Sequence, residues 1–397
     1  MKSVDTGVWT ARRRVELRRR LRKTGFDEVR FATVESGIAG GLPEWLAEGM
    51  QADMAWMERS AAKRADPDLV LPGARSIIML GVNYWGGRRA DERMRRSGRP
   101  RWARYALHVD YHDTMKAGLV AAGRVLEDYG AAPTDYRYYV DTGPVLERGW
   151  AARAGIGFLG KNGMLISRRH GNWLFLAAIL TRFDLAPDEP MRPRVSRANG
   201  QEPPGLLCGS CTRCLTACPT AAIPRPGVVD ARRCISYQTI ENRGGIPREL
   251  RAGIGTRIYG CDVCLEVCPW NRFARAGRRI LLEVRSGLAE LDLKSLLELT
   301  PEKFAAEFKG TAVKRLKLTG LLRNACVVAG NTAGAGDDVR DALVRLAAHD
   351  SPVVRAHAVW ALRRRFPGSA AALLERVRAM ETDPGVLAEY DAPSETI

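Results

Sequence analysis

The segment CGSCTRCLTACP, Cys208–Pro219, spaces its thiols C-x2-C-x2-C-x3-C-P; a shorter relative, CDVCLEVCPW at Cys261–Trp270, keeps C-x2-C-x3-C-P but lacks the opening cysteine. The first spacing is the ligand run of bacterial-type iron–sulfur proteins, in which the fourth cysteine can serve a second cluster. Three thiolates on one tight loop reach three iron corners of a single cubane. The fourth, carried away by the turn that begins at the proline, points elsewhere. Zinc is the main alternative, but it prefers two separated C-x2-C knuckles around one tetrahedral ion. Cys234, in ARRCISYQTIENRG between the two runs, is placed to supply the missing corner. One [4Fe-4S] cluster is therefore expected on Cys208, Cys211, Cys214 and Cys268, and a second on Cys218, Cys234, Cys261 and Cys264. The ninth cysteine, Cys326, sits among apolar neighbours and is expected in the core. Clusters ligated by four thiolates leave no open coordination position, so they form a wire, and the chemistry they feed belongs elsewhere in the chain.

The chain has 397 residues and a formal net charge of +17. That length supports two or three domains, and that charge favours a polyanionic partner, most often nucleic acid. No run approaches about 18 consecutive apolar residues, so no membrane span is expected. The N-terminal stretch lacks the apolar core of a secretory signal. A cytoplasmic, reducing location is expected, where closely spaced cysteines more often bind metal than form disulfides.

Residues 1–200 read as an α/β (α+β) domain, with strands expected at Glu28–Val34, Ser76–Tyr84 and Tyr136–Asp141 and a helix over Asp110–Tyr129. Met164–Thr181 reads as two strands around a turn at His170-Gly171-Asn172. After a Pro-rich connector, Arg182–Gly205, residues 201–278 form a small ferredoxin-like two-cluster domain. Residues 279–397 read as helical repeats: LLRNACVVAG at Leu321 aligns with VVRAHAVWAL at Val353, an arrangement similar to HEAT units. Thr311–Arg365 holds ten Lys and Arg against four Asp, which suits either a solvated face or a phosphate-binding one.

No G-x-G-x-x-G or phosphate loop follows a strand-like run, so a nucleotide site has no support. The candidate segment is YVDTGPVLERGWAARAGIGFLGKNGMLI, Tyr139–Ile166. In it Asp141 ends a strand, Glu147 and Arg148 open a helix, and Gly155, Gly157, Gly160 and Gly163 would permit close approach of backbone to a ligand. Lys161 could meet a phosphate or carboxylate. A turn-capping aspartate is the plain alternative for Asp141.

The strings VDTGPVLER, GFLGKNGMLI, CISYQTIE and RIYGCDVCLEVCPWN, in this order with the interleaved cysteines, closely resemble epoxyqueuosine reductase over about residues 64–331. The resemblance implies a cobalamin-dependent enzyme with two [4Fe-4S] clusters that reduces epoxyqueuosine to queuosine at the wobble position of tRNA. It implies Asp141 as proton donor, and Arg64, Arg104, Tyr105, Lys161, Asn162, Ser236 and Asp262 around the corrin. The basic string KRLKLTGLLRN suggests RNA contacts from Lys314, Arg315, Lys317 and Arg323, assisted by the Arg-rich loop 88–104. His108-Val109 departs from the family pattern, which has Gly-Arg there. DYHDTM carries Asp110 and His112 but Met115 where a histidine-ligated corrinoid protein has glycine, so His112 reads as structural. The electron donor is unspecified, and a monomer is expected. Two further readings remain: a reductive dehalogenase, which would leave the basic repeats without a role, and a polyferredoxin-like carrier, which would leave the DTGP-to-GKNG block as scaffold.

Overall fold

A computed structural model describes residues 9–35, 40–87, 92, 99–191, 203–278 and 280–393. Most of the Arg-rich segment 88–98 and of the connector, at 192–202, lies outside them. Two compact units make up the chain. The first comprises Met1–Gly87, Asp110–Asp230 and Val263–Glu283, and the second Arg88–Val109, Ala231–Asp262 and Val284–Ile397.

The first unit is built on a four-stranded antiparallel sheet in the order β1-β2-β7-β4, with β1 at Glu28–Thr33, β2 at Ser76–Asn83, β4 at Tyr136–Val140 and β7 at Leu174–Thr181. All eight residues of β2 are buried, as expected for SIIMLGVN, an apolar run with partners on both edges. The helix Glu147–Arg153 lays Trp150, 2% exposed, among Ile77, Met79 and Ala178 of the sheet. Truncating such a side chain costs about 3–5 kcal/mol. The helix Tyr111–Glu127 buries Met115, Leu119, Ala122 and Leu126, spaced by three or four residues along one face. The N-cap of that helix is Asp110, whose carboxylate accepts from the His112 amide.

The expected hairpin over 164–181 is not formed. β6, Leu165–Ile166, pairs with β5, Phe158–Leu159, whereas β7 pairs with β2 and β4. Both edges of β7 are occupied, so only the bridge Ser167–Gly171 survives from the expected turn. Gly171 takes φ +59, and a Cβ there would lie 2.5 Å from Asn271 Oδ1.

The second unit is helical around Lys317–Asn331, in which Leu321 through Gly330 are all buried. The helix Pro352–Arg365 packs against it, so the two aligned decapeptides face each other across one core. Gly330 makes the approach possible, since a Cβ would stand 2.4 Å from Trp360. Cys326 is fully buried there, and burial pushes its thiol far up. The short strand β8, Arg257–Tyr259, pairs in parallel with β3, Arg101–Trp102. No helix among the described residues is long and apolar enough to cross a membrane.

Candidate active site and cysteine runs

Asp141 follows β4 directly and adopts φ +55, a left-handed conformation that aspartate tolerates better than most residues. A tight bend follows. Gly143 is required in it, because a Cβ would come within 2.4 Å of the Tyr139 ring. Tyr111 Oη donates to Asp141 Oδ2 at 2.6 Å. His112 Nε2 lies 3.5 Å from the same oxygen, and His112 Nδ1 is 2.8 Å from Asp110 Oδ1. Tyr111 stacks between His112, at 4.1 Å, and Phe175, at 4.3 Å. Burial works to lower the imidazole pKa, but the hydrogen bonds and charges of Asp110 and Asp141 outweigh it and push it up to about 9. His112 is thus a cation at neutral pH beside Asp141, a role that DYHDTM gave no sign of. The partner aspartate lies 29 residues away in sequence, and the packing of the helix Tyr111–Glu127 against β4 brings it near.

Glu147 is a second acid near Asp141. Its Oε1 is sealed from solvent and has no hydrogen-bond partner. Burial is the main reason its carboxyl rises to about 8; the charge of Asp141 adds to this, and Arg64 and Arg148 oppose it. It is therefore protonated at neutral pH. Arg64 donates to Ser60 Oγ at 2.9 Å and to the Val145 carbonyl at 3.0 Å, which pins the chain just before Glu147. The side chain of Asp141 is 64% exposed.

The four glycines do not form a ligand cradle. Gly155, Gly157 and Gly160 have G-x-G-x-x-G spacing, but they follow a helix. Added Cβ atoms would strike the Glu189 carbonyl at 2.2 Å, the Ile166 carbonyl at 2.3 Å and the Ile166 side chain at 2.4 Å. Gly163, at φ +73, meets Val229 at 3.1 Å. The chain's own packing therefore accounts for these glycines.

Asn162, 2% exposed, is fully engaged within the first unit. Its Nδ2 donates to Asn172 Oδ1 at 2.9 Å and to the Cys264 carbonyl at 3.3 Å, and its Oδ1 accepts from the Met164 amide. Asn172 in turn donates through its amide and Nδ2 to Asn271 Oδ1, at 3.2 and 3.1 Å. Asn271 Nδ2 reaches the Leu265 carbonyl. Lys161 Nζ donates to the Gly209 carbonyl at 2.7 Å.

In the second unit Arg104 and Asp262, both buried, bind each other: the Arg104 amide and Nη1 lie 2.8 and 3.0 Å from Asp262 Oδ2. The ring of Tyr105 stands 6.1 Å from that of Tyr259, and Ser236 is half-buried in the first turn of the helix Ile235–Ile240. His108, at the departure from the family pattern, is buried with Nδ1 3.3 Å from the Tyr105 carbonyl, and its backbone bridges to Val284.

Eight cysteines are half-buried free thiols. Cys208, Cys211, Cys214 and Cys268 lie in the first unit, near enough for their charges to act on one another, although among the described residues no three are drawn close enough to hold a metal ion. Burial raises the Cys208 and Cys214 thiols, and the neighbouring cysteines, Cys268 among them, raise them further. Such a repelling set is what a cationic cluster would neutralise. The short helices Arg213–Thr216 and Val263–Glu266 pack together, bringing the runs that carry Cys218 and Cys264 side by side. The Ala222 amide donates to Cys218 Sγ at 3.2 Å. Cys234 and Cys261 belong to the second unit, at the ends of adjacent elements: Cys234 caps the helix Ile235–Ile240, Cys261 follows β8, and the Gly260 amide bonds Thr239 Oγ1 at 2.9 Å.

Among the residues expected to meet RNA, Lys314, Arg315 and Lys317 are exposed, and Arg315 pairs with Glu241 at 2.9 Å. Arg323 is a correction. It is fully buried, and its guanidinium donates to the Gln238, Asn242 and Gly244 carbonyls at 2.7 Å each and to Asn324 Oδ1. An arginine so enclosed cannot touch a phosphate.

Residues 207–271 match the 4Fe-4S double cluster binding domain, and residues 64–142 match the family described as Epoxyqueuosine reductase QueG, DUF1730. The epoxyqueuosine reductase of Xanthomonas campestris pv. campestris is 38% identical over 347 residues, covering 86% of this chain and 93% of the relative. A crystal structure of epoxyqueuosine reductase with an epoxyqueuosine-modified tRNA-Tyr stem loop superposes with a TM-score of 0.74 at 28% identity, over 95% of this chain and 96% of that one. The Bacillus subtilis enzyme, with an aspartate-bearing catalytic loop swung out of the active site, gives 0.75 at 28% identity over the same shares. The chain belongs to the epoxyqueuosine reductase family.

Proposed function

We propose that this protein reduces epoxyqueuosine to queuosine at the tRNA wobble position, with Asp141 as the proton donor. Electrons would pass through two [4Fe-4S] clusters to cobalamin. The arrangement of Tyr111, His112 and Asp141 around one carboxylate oxygen carries the reading. Conversion of the epoxide to the alkene consumes two electrons and two protons and releases water. Cobalamin, when bound, supplies a low-potential centre able to deliver those electrons to a C–O bond. Asp141, held by Tyr111, presents an exposed carboxylate, and the nearby Glu147 Oε1 is sealed without a hydrogen-bond partner; both suit contact with a cofactor or substrate.

The chain's own residues handle the protons. Tyr111 fixes the direction of Asp141 Oδ2, and His112, charged and anchored by Asp110, keeps a proton next to it. A carboxyl group delivers one proton at a time, so an adjacent cation suits a reaction that needs two. In the Bacillus subtilis relative an aspartate-bearing catalytic loop is swung out of the active site. Asp141 heads an exposed bend. For RNA, a single-stranded anticodon loop can splay its base into a pocket, and the exposed Lys314 and Lys317 suit its phosphates.

The test is to purify the protein anaerobically, add epoxyqueuosine-containing tRNA and a low-potential reductant, and weigh the nucleosides with and without cobalamin. Loss of one oxygen only with cobalamin is the expected result. An unchanged nucleoside, with iron and sulfide at two-cluster stoichiometry, would sink the reading in favour of an electron carrier.

A further inference from the structure

The loop Gly160–Gly163 touches both cysteine runs within the first unit. On one side the Lys161 ammonium holds the Gly209 carbonyl at 2.7 Å, between Cys208 and Cys211. The neighbouring chain is shaped to admit this lysine. Gly205, at φ +82, has no room for a Cβ, which would fall 2.4 Å from Lys161 Cγ. The Gly227 amide closes on the Lys161 carbonyl at 2.9 Å. On the other side Asn162 donates to the carbonyl of Cys264, and through Asn172 and Asn271 it reaches Leu265. The segment between Cys264 and Cys268 carries one ligand for each expected cluster. One four-residue loop therefore holds both runs in register.

We propose that Lys161 and Asn162 are positioning residues for the iron–sulfur centre. In this assignment they clamp the two cysteine runs together, and the lysine charge raises the reduction potential of the cluster on Cys208, Cys211, Cys214 and Cys268. This departs from their expected place around a corrin. It rests on the iron–sulfur part of the proposed function and is independent of the tRNA and cobalamin parts. The physical reason is direct. Reduction adds a negative charge to a cluster already surrounded by thiolates, and a nearby cation favours that state. Partners that orient metal ligands are typically worth about 10- to 100-fold in metal affinity.

The experiment uses the full chain loaded with iron and sulfide. Midpoint potentials are read by spin resonance during a redox titration, iron release by absorbance after adding a ferrous chelator, and cobalamin affinity by absorbance titration. Lys161→Gln should lower one midpoint, leave the other in place, and speed iron release by roughly tenfold. Lys161→Arg should restore the midpoint, and Asn162→Ser should speed release without moving it. Cobalamin affinity should stay at the wild-type value in all three. Unchanged midpoints and release rates overturn the assignment, and lost cobalamin affinity with unchanged potentials would give the loop to the corrin instead. If Lys161→Gln cannot be loaded with iron, Lys161→Arg decides. It keeps the charge but changes the reach to Gly209, so faster release is expected, and a wild-type release rate overturns the clamp.

Discussion

Replacing Arg323 by methionine separates a structural arginine from an RNA contact. Three backbone carbonyls, of Gln238, Asn242 and Gly244, lose a charged donor. A buried acceptor left unsatisfied costs about 1–3 kcal/mol, and only the Gln238 contact is fully buried; water can reach the other two. Against this loss stands the relief of a buried charge. Burial, aided by the neighbouring Arg243, lowers the Arg323 pKa to about 10 from 12.5, a penalty on the order of 3 kcal/mol. Hydrogen bonds to a charged donor are worth about 1.5–3 kcal/mol each, so losing the buried Gln238 bond in full and the two wetter ones in part costs about 5 kcal/mol, which leaves a net destabilisation of about 2 kcal/mol. For a unit of this size that is a Tm loss of roughly 4–8 °C, read by calorimetry on the loaded protein. Affinity for tRNA in the folded variant should keep its salt dependence. An RNA contact would behave in the opposite way: Tm would hold, and the slope of log affinity against log salt would fall by about 0.7–0.9 for the one phosphate lost. That pattern would refute the structural assignment.

Asp141→Asn keeps the bend and can still accept from Tyr111, yet it has no proton to give. Turnover of epoxyqueuosine-tRNA should fall by about 10²- to 10⁴-fold, with tRNA and cobalamin affinities retained in equilibrium titrations. Lys317 has φ 63 and ψ 165, a region essentially reserved for glycine. Lys317→Gly should therefore hold or gain stability, by up to about 1 kcal/mol, while lowering the salt slope of tRNA binding. Glu147 has a folded-state pKa of about 8, above its unfolded value. The folded state thus binds the extra proton, and stability declines as pH rises from about 4.5 through 8. Glu147→Gln should flatten that decline and, at pH 8, be the more stable protein by on the order of a few kcal/mol; equal pH profiles in urea titrations would show that Glu147 is ionised in the native state.

Short-range chemistry was legible in the sequence. β1, β2 and β4 follow from alternating or continuous apolar runs, and the cysteine spacing marks the iron–sulfur runs without any fold. What the sequence hid depends on partners distant along the chain. β7 looked like half of a hairpin because its true partners, β2 and β4, lie about 98 and 38 residues away. Arg323 looked like part of a basic face because helical periodicity does not reveal that the loop around Gln238 and Gly244 closes over it. The glycines of Gly155–Gly163 looked like a ligand cradle because a glycine required by another strand's carbonyl and one required by a ligand read the same. His112 looked structural because its motif departs from that of a corrin ligand, although the structure places it beside Asp141.

The placement of Asp141 bears on how an aspartate can serve as an acid at all. Its carboxylate accepts from Tyr111, lies near a charged imidazole, and is largely exposed; each of these favours the ionised form. An acid role at neutral pH therefore requires the bend to enter a drier setting, where desolvation lifts its pKa towards that of the proton held by His112. Glu147 shows how strong that effect is only six residues on, since burial alone carries most of its rise to about 8. A bound base and cofactor covering the bend would supply the same burial to Asp141. The proton would then pass from the imidazolium, through the carboxyl group, to the oxygen leaving the ring. The left-handed backbone at Asp141, φ +55, carries a strain of roughly 1–2 kcal/mol, small enough for substrate contacts to offset.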